Sequence, residues 1–207
     1  HIKLVCITGI SMPKISKAIN AFCLRHPYVN VSVTPLSFKE MRYGIENEIY
    51  DIAITTSHEF INNANISTLA VASIPLIFIY SADGKLGKKK DLSPKDFDNE
   101  LLYVLHEDET NVAKYFNNMI CSKYEINPMR KVMPNLESIY LAISNGNGFA
   151  IVNSWARVKE NPNFRYLELD VSEDVIFAWK KSNKRAGILD FIEEIAAIND
   201  GLEFRDI

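Results

Sequence analysis

The sequence predicts an α/β fold with mostly parallel sheets, because strand-like and helix-like segments alternate along its 207 residues. The clearest stretch is the first 57 residues, which run strand, turn, helix, strand, helix, strand without a break. No internal repeat or low-complexity segment interrupts the alternation later in the chain. Sheets of this class bind ligands beyond the carboxyl ends of their strands, where helix N-termini point. The fold class therefore predicts where a binding site would lie.

The first elements are marked by the spacing of their apolar residues. Ile2 to Ile7 is an apolar run, and three alternating valines between 29 and 33 indicate a second strand. Between them, apolar residues at helical spacing predict a helix that begins at Pro13 and ends before Pro27. The predicted elements of this part are strand 2–7, helix 13–25, strand 29–33, helix 39–47 and strand 51–55.

The later elements follow the same alternation. Pro75 interrupts a long apolar run, and it marks the predicted crossing from one lobe to the next. Ser93 precedes Pro94 as a helix start should, and Asn135 caps another helix. The remaining strands are predicted at 76–80, 101–105, 130–133, 149–152, 166–169 and 175–180, and the main helices at 110–124, 135–143 and 185–199.

Composition excludes several classes of protein. The net charge is −3, whereas a domain that binds nucleic acid by itself usually has a strong basic excess. The three cysteines, at 6, 23 and 121, form no Cys-x-x-Cys pair and lie in apolar surroundings, which favours reduced thiols and a cytoplasmic location. No apolar run is long enough to cross a bilayer, and no signal peptide is evident. Since the chain starts at His1 rather than Met, we expect it to be a fragment cut at a domain boundary.

The motifs of common enzymes and metal sites are missing from the sequence. There is no Walker-type phosphate loop and no Gly-x-Ser-x-Gly nucleophile elbow. The four histidines show no ligand spacing with one another or with cysteines. His106 with Glu107 is the only local acid–base pair, and adjacent residues in a turn rarely converge on one substrate atom. We therefore expect no catalytic residue, no metal and no cofactor.

Small polar residues follow the first three strands at the edge where a ligand is expected. They are Thr8, Gly9, Ser11, Ser37, Thr55, Thr56 and Ser57, a set of hydroxyls rather than nucleophiles or metal ligands. The Thr8–Ser11 turn presents backbone N–H groups that suit an anion, although an ordinary helix-capping turn has the same composition. Residues 55–57 equally fit a polar loop. The pattern indicates a receptor for a small polar molecule.

The order of motifs resembles the effector-binding domain of LysR-type transcriptional regulators. The resemblance consists of an apolar strand and polar turn at 2–11, Phe22-x-x-x-x-Pro27 before an alternating strand, the Tyr50–Ile54 strand, the Gly146–Val152 turn and strand, and a final amphipathic helix at 188–198. It spans essentially the whole chain. Three departures are Ser16 and Asn153, where the family usually has proline, and Phe38, where serine or threonine is common.

The resemblance implies two Rossmann-like lobes joined by two crossover strands, as in type 2 periplasmic-binding proteins. Lobe I would comprise residues 1–75 and 178–207, and lobe II residues 76–177. A small-molecule effector would bind between the lobes. A winged helix-turn-helix domain, absent from this chain, would lie upstream and provide the only contact with DNA, so that effector binding modulates transcription.

The resemblance also extends the set of candidate residues, because 106–110 occupies the place of the family's effector-contacting loop. Asp108 and Glu109 in that loop fit helix capping; if they faced the cleft, they would favour a neutral or amine-bearing effector. The complete set of predicted effector-binding residues is Thr8, Gly9, Ile10, Ser11, Ser37, Phe38, Thr55, His106, Thr110 and Asn135.

The resemblance further implies a homodimer or homotetramer and no membrane partner. One subunit would contribute the helix near 14–25 and the other the helix near 112–124. Cys121 lacks the second cysteine that the peroxide-sensing branch of the family uses, since residue 110 is threonine, so a redox switch is not expected. Two alternatives stay open: an extracytoplasmic solute-binding protein of the same fold, and an enzyme on this scaffold.

Overall fold

A computed structural model describes residues 1–110 and 112–200 of the chain. The helices and strands are β1 Ile2–Ile7, α1 Pro13–Arg25, β2 Val31–Leu36, α2 Phe38–Glu46, β3 Ile52–Thr56, β4 Ile66–Ser81, β5 Leu101–Leu105, α3 Val112–Lys123, β6 Met129–Met133, α4 Leu136–Ser144, β7 Phe149–Asn153, β8 Phe164–Lys180 and α5 Ile188–Asp200. Single 3₁₀ turns lie at Ser57–Phe60, Pro94–Phe97 and Arg157–Glu160. The predicted alternation of strands and helices is confirmed.

The structure divides into two compact units. Unit 1 consists of residues 1–74 and the chain from 173 onward, and unit 2 of residues 75–172. Two strands pass from one unit into the other: β4 crosses after Ile74 and β8 after Ser172. The fold thus contains two connections rather than one.

Unit 1 is a parallel arrangement with one antiparallel strand. Its strand order is β2-β1-β3-β8, in which β1 pairs in parallel with β2 and β3, and β8 runs antiparallel to β3. The predicted inner face of α1 is confirmed, since Ile15, Ala18, Ile19 and Phe22 are buried. The Phe22 ring packs edge-on against Phe191 of α5, with ring centres 4.9 Å apart. The first and last helices therefore share the core of unit 1.

Unit 2 has the strand order β4-β7-β5-β6. β5 pairs in parallel with β6 and β7, while β4 is antiparallel to β7. Alternate residues of β4 enter two separate cores: Phe78 packs with Phe97 and Phe149, whereas Ile77 packs with Ile139 of α4. This alternation is the period of two expected for a strand that is covered on both faces.

Three of the wrong sequence predictions about elements concern the last part of the chain. The segments 166–169 and 175–180 were predicted as two strands, but β8 is continuous. It contains no glycine or proline, and side chains from Leu167 to Val175 keep a period of two through the polar stretch. The last helix begins at Ile188 rather than residue 185. Its inner face includes Phe191 instead of the predicted Leu189, which is exposed.

The predicted positive φ of the glycines after α4 is confirmed. Gly146 and Gly148, which follow α4, have φ of +92° and +70°. No helix within residues 1–110 and 112–200 is long and apolar enough to cross a membrane.

Candidate functional site

The carboxyl ends of β1, β2 and β3 meet at one edge of unit 1. Ile7 pairs with Leu36, and Cys6 pairs with Ile54, so the residues that follow each strand lie side by side. Thr8 continues this register, because its N–H donates to the Leu36 carbonyl at 2.9 Å. The structure therefore brings the predicted residues of the first three strand ends together in unit 1.

The turn from β1 into α1 is not a side-chain cap. Met12 occupies the N-cap position of α1 and makes no capping hydrogen bond with its side chain. Thr8, Ile10 and Ser11 are half-buried, and Gly9 has a φ of +80° that favours glycine. Capping by a hydroxyl thus does not explain the polar composition of residues 8–11.

Ser37, by contrast, has a structural role. It is the N-cap of α2, where its hydroxyl accepts a hydrogen bond from the Glu40 N–H at 3.3 Å. The Ser37 N–H and hydroxyl both donate to the Glu40 carboxylate, at 3.1 and 2.9 Å. These bonds hold the pKa of Glu40 below its ordinary value. Phe38, the next predicted residue, is half-buried in the first turn of α2.

Thr55 is the most informative of the predicted residues in unit 1. It lies in β3 between β1 and β8, pairs with Ile176, and is only 3% exposed. Its hydroxyl is buried and has no hydrogen-bond partner among the described residues. Such a group costs about 1–3 kcal/mol when it is left unsatisfied, so a buried hydroxyl of this kind usually receives a hydrogen bond from a water or a ligand.

A corresponding edge exists in unit 2, where β5, β6 and β7 run in parallel. Leu105 pairs with Met133, and the His106 N–H donates to the Met133 carbonyl at 2.9 Å. The exposed His106 ring accepts a hydrogen bond from the Asp108 N–H at 3.1 Å. Thr110 is buried, and its N–H donates to the His106 carbonyl at 3.3 Å. The predicted turn is therefore present at the end of β5, while its connection to α3 includes residue 111, which lies outside the described residues.

Asn135 is the predicted cap of α4, and this role is confirmed. Its side-chain oxygen accepts a hydrogen bond from the Ser138 N–H at 2.8 Å. Because this oxygen already accepts a hydrogen bond from the helix, a contact between Asn135 and an effector stays a prediction.

Ser154 was missed by the sequence analysis. It follows β7 at the same edge as His106 and Asn135, and its N–H donates to the Pro75 carbonyl at 2.9 Å. Its side-chain hydroxyl is buried and, like that of Thr55, has no partner among the described residues. The sequence carries only a weak signal for it, a small polar residue one position beyond an apolar strand.

Charged groups near these edges are mostly engaged. Arg42 and Glu59 form an ion pair at 2.7 Å in unit 1, with the Glu59 side chain almost fully buried. Burial lowers the pKa of His58, an effect that the nearby Asp174 partly opposes. In unit 2, Glu107 lies 3.4 Å from Lys114. Glu107 therefore pairs with Lys114 rather than with the adjacent His106.

Metal and redox chemistry find no support in the described residues. No three His, Cys, Asp or Glu side chains within 1–110 and 112–200 are grouped as metal ligands would be. Cys6, Cys23 and Cys121 form no disulfide. Burial raises the pKa of Cys121, which disfavours the reactive thiolate.

Comparison with known protein families decides the identity of the domain. The family of the LysR substrate binding domain matches residues 1–198. This chain belongs to that family. Its fold is accordingly that of the effector-binding domains of LysR-type regulators, a type 2 periplasmic-binding-protein-like fold, with β4 and β8 as the two crossover strands.

Solved structures of the same fold include LysR domains with bound ligands. The regulatory domain of CcmR from Synechocystis PCC6803, in complex with 2-PG, is 16% identical with a TM-score of 0.75 over 97% of this chain and 98% of that one. The QuiR domain with shikimate is 14% identical, with a TM-score of 0.77 and 97% coverage of both chains. The BenM domain with benzoate is 16% identical, with a TM-score of 0.73 over 97% of this chain and 92% of that one.

No curated protein sequence matches this LysR domain significantly. The family assignment favours the regulator over the extracytoplasmic solute-binding protein considered above. The family and its solved members are transcriptional regulator domains rather than enzymes.

Proposed function

We propose that this LysR domain binds a small polar effector at the carboxyl ends of its parallel strands and thereby modulates transcription. The observation that carries the proposal is the pair of buried hydroxyls, Thr55 in unit 1 and Ser154 in unit 2, that have no partner among the described residues. Each lies at the edge of its unit where a sheet of this class places its ligand. An effector group that exchanges a hydrogen bond with either hydroxyl would satisfy it.

The chemistry of the two edges supports a polar effector. Thr8, Gly9 and Ser11 follow β1, which pairs with β3 at the end of the strand that carries Thr55. Arg42 and Glu59 are already paired with each other. Relatives of the same fold are solved with shikimate and with benzoate, both small carboxylates. Binding at this site requires hydrogen bonds and breaks no covalent bond, so the domain acts as a sensor.

Effector binding would change the regulator's contact with DNA if the effector has different affinities for two arrangements of the regulator. An effector that binds one arrangement of the regulator more tightly than another shifts the population toward the first, by the free energy of that difference. The DNA contact would be made by an upstream winged helix-turn-helix domain. A regulator that binds DNA must reach the chromosome, and we therefore propose a cytoplasmic location.

Exposed apolar side chains support the homodimer or homotetramer. Leu24 of α1 is 84% exposed in unit 1, and Tyr115 of α3 is 62% exposed in unit 2. Both lie on the helices that the family resemblance assigns to the contact between subunits. A contact between subunits at these helices would remove both side chains from water, which is favourable.

A ligand screen tests the sensor proposal. We expect at least one member of a library of amino acids, carboxylates and inorganic anions to raise the melting temperature of the domain in a saturable manner, because it binds only the folded state. Thr55→Val removes the unpartnered hydroxyl at nearly constant volume and should leave the melting temperature of the ligand-free domain unchanged or higher. The same variant should reduce the ligand-induced rise.

Thr68→Val is the matched control, since Thr68 is an exposed threonine in the part of β4 that belongs to unit 1. It should leave the ligand-induced rise intact. A ligand whose effect is the same in the wild type, Thr55→Val and Ser154→Ala would contradict the proposed location of the site. A complete absence of ligands from such a library would instead contradict the proposed effector class.

A further inference from the structure

The connection between α4 and β7 contains the only two Asn-Gly pairs of the sequence, Asn145-Gly146 and Asn147-Gly148. In such a pair the backbone nitrogen of glycine attacks the side-chain amide carbon of asparagine, because glycine has no side chain to obstruct the approach. The amide nitrogen leaves as ammonia and a cyclic succinimide forms. Water then opens the ring to aspartate or to isoaspartate. The reaction consumes only solvent water.

The structure distinguishes the two pairs. Asn145 is the C-cap of α4 and keeps near-helical angles, with φ of −76° and ψ of 6°. The Asn145 N–H donates to the Ala142 carbonyl at 3.3 Å, and the Gly146 N–H donates to the Ile143 carbonyl at 2.9 Å. Ring closure at Asn145 would have to break the second bond and unwind the last turn of the helix. The fold therefore protects Asn145.

Asn147 has no such protection from the helix. It lies beyond the turn that ends α4 and before β7, between two glycines with positive φ, and its side chain is exposed to water. We propose that Asn147 is a site of spontaneous deamidation and isoaspartate formation in this domain. The chemical class of the modification is hydrolytic, with the side-chain amide as its substrate.

The position of Gly148 determines what the modification does. Gly148 is buried, and a Cβ atom there would come 2.5 Å from the Leu101 carbonyl oxygen and 2.7 Å from the Tyr103 ring. Isoaspartate at 147 adds a methylene to the main chain directly before this confined residue. The added length disturbs the pairing of Phe149 with Leu102 at the start of β7. Aspartate at 147 adds only a charge at an exposed position.

Peptide mapping of the aged domain tests this proposal. After incubation at mildly alkaline pH, mass spectrometry should show the amide-to-acid mass change at residue 147 several-fold earlier than at 145. In the peptide that contains residues 145–148, labelling by an isoaspartate-specific methyltransferase should appear with age, disappear in Asn147→Gln and persist in Asn145→Gln. Conversion at 145 that is as fast as at 147, or labelling of this peptide that survives in Asn147→Gln, would overturn the assignment.

A second measurement tests the consequence. The isoaspartate-containing fraction should melt at a lower temperature than Asn147→Asp, which carries the same charge without the longer main chain. Equal melting temperatures for these two forms would refute the role given to the confined Gly148.

Discussion

Asp51 shows how much of unit 1 depends on a single side chain. It is a buried carboxylate at the start of β3. One oxygen accepts from the Lys3 N–H at 2.8 Å, and the Arg185 guanidinium lies 3.0 Å from the other. Asn183 donates to the same carboxylate at 3.2 Å. Asp51 thereby joins β1 to the segment that leads from β8 into α5.

Replacement of Asp51 should therefore destabilise the domain. We expect Asp51→Ala to lower the free energy of unfolding by about 1–3 kcal/mol, because the partly buried Lys3 N–H loses its side-chain partner. Arg185→Ala should cost less, since the Arg185 side chain is half-exposed. Urea unfolding of both single variants and the double variant measures the coupling. Strictly additive losses would contradict a direct interaction of Asp51 with Arg185.

Single residues were the hardest feature to predict from the sequence. The position of Thr55 at a strand end was predictable, because a polar residue after a buried strand indicates the ligand edge. The lack of a hydrogen-bond partner for its hydroxyl was not predictable. The surroundings of Thr55 include β8, which pairs with β3 from more than a hundred positions away along the chain. Ser154 and the bonds of Asp51 depend in the same way on contacts that are distant in sequence.

The N-terminus of α2 is an element whose stability has a defined pH dependence. Two hydrogen bonds lower the pKa of Glu40 in the folded state. The bond from the Ser37 N–H has the larger effect and the bond from the Ser37 hydroxyl the smaller one. A lowered folded pKa means that the interaction contributes stability above the unfolded pKa of about 4.3. That contribution is lost as the pH falls through the folded pKa of Glu40.

The capping box can be tested by titration. We expect Ser37→Ala to raise the pKa of Glu40 part of the way toward its ordinary value, because the hydroxyl bond is lost while the backbone bond remains. The same substitution should lower the free energy of unfolding by about 1 kcal/mol at neutral pH. Carbon-detected NMR titration of the Glu40 carboxyl measures the first effect. An unchanged pKa would show that the hydroxyl does not bind the carboxylate in solution.

Elements were predictable where local signals agreed. α1 has the predicted bounds, because Pro13 starts it, four apolar residues share one face, and Pro27 follows its end. β8 was divided wrongly, because the polar residues from Asp170 to Asp174 resemble a turn. In the structure, alternate residues of that stretch still face the core. Polarity alone therefore does not end a strand when neither glycine nor proline is present.

Assembly belongs to the scale of the whole molecule. If α1 of one subunit packs on α3 of another, Leu24→Asp should convert the dimer to a monomer, because a charge replaces an exposed apolar contact. Light scattering coupled to size-exclusion chromatography measures the mass. Leu141→Asp is the matched control: Leu141 of α4 is 68% exposed and lies outside the two helices of the proposed contact. A wild-type domain that is monomeric at high concentration would refute the dimer.

The overall fold was predicted more fully than any of its parts. The alternation of strands and helices and the order of motifs were sufficient for the family, which extends over residues 1–198. The effector could not be predicted, because its identity depends on individual side chains at the strand ends, and many side-chain combinations are compatible with one fold.

The division of the chain into units has a consequence for its synthesis. Unit 2 is one uninterrupted stretch, whereas unit 1 is assembled from residues 1–74 and a second segment that begins at Glu173. As the chain leaves the ribosome from its N-terminus, Phe22 emerges before unit 2 but meets Phe191 only after unit 2 has been made. Unit 2 is thus able to complete its core first, while the first segment of unit 1 can complete its own core only after the second segment has been made.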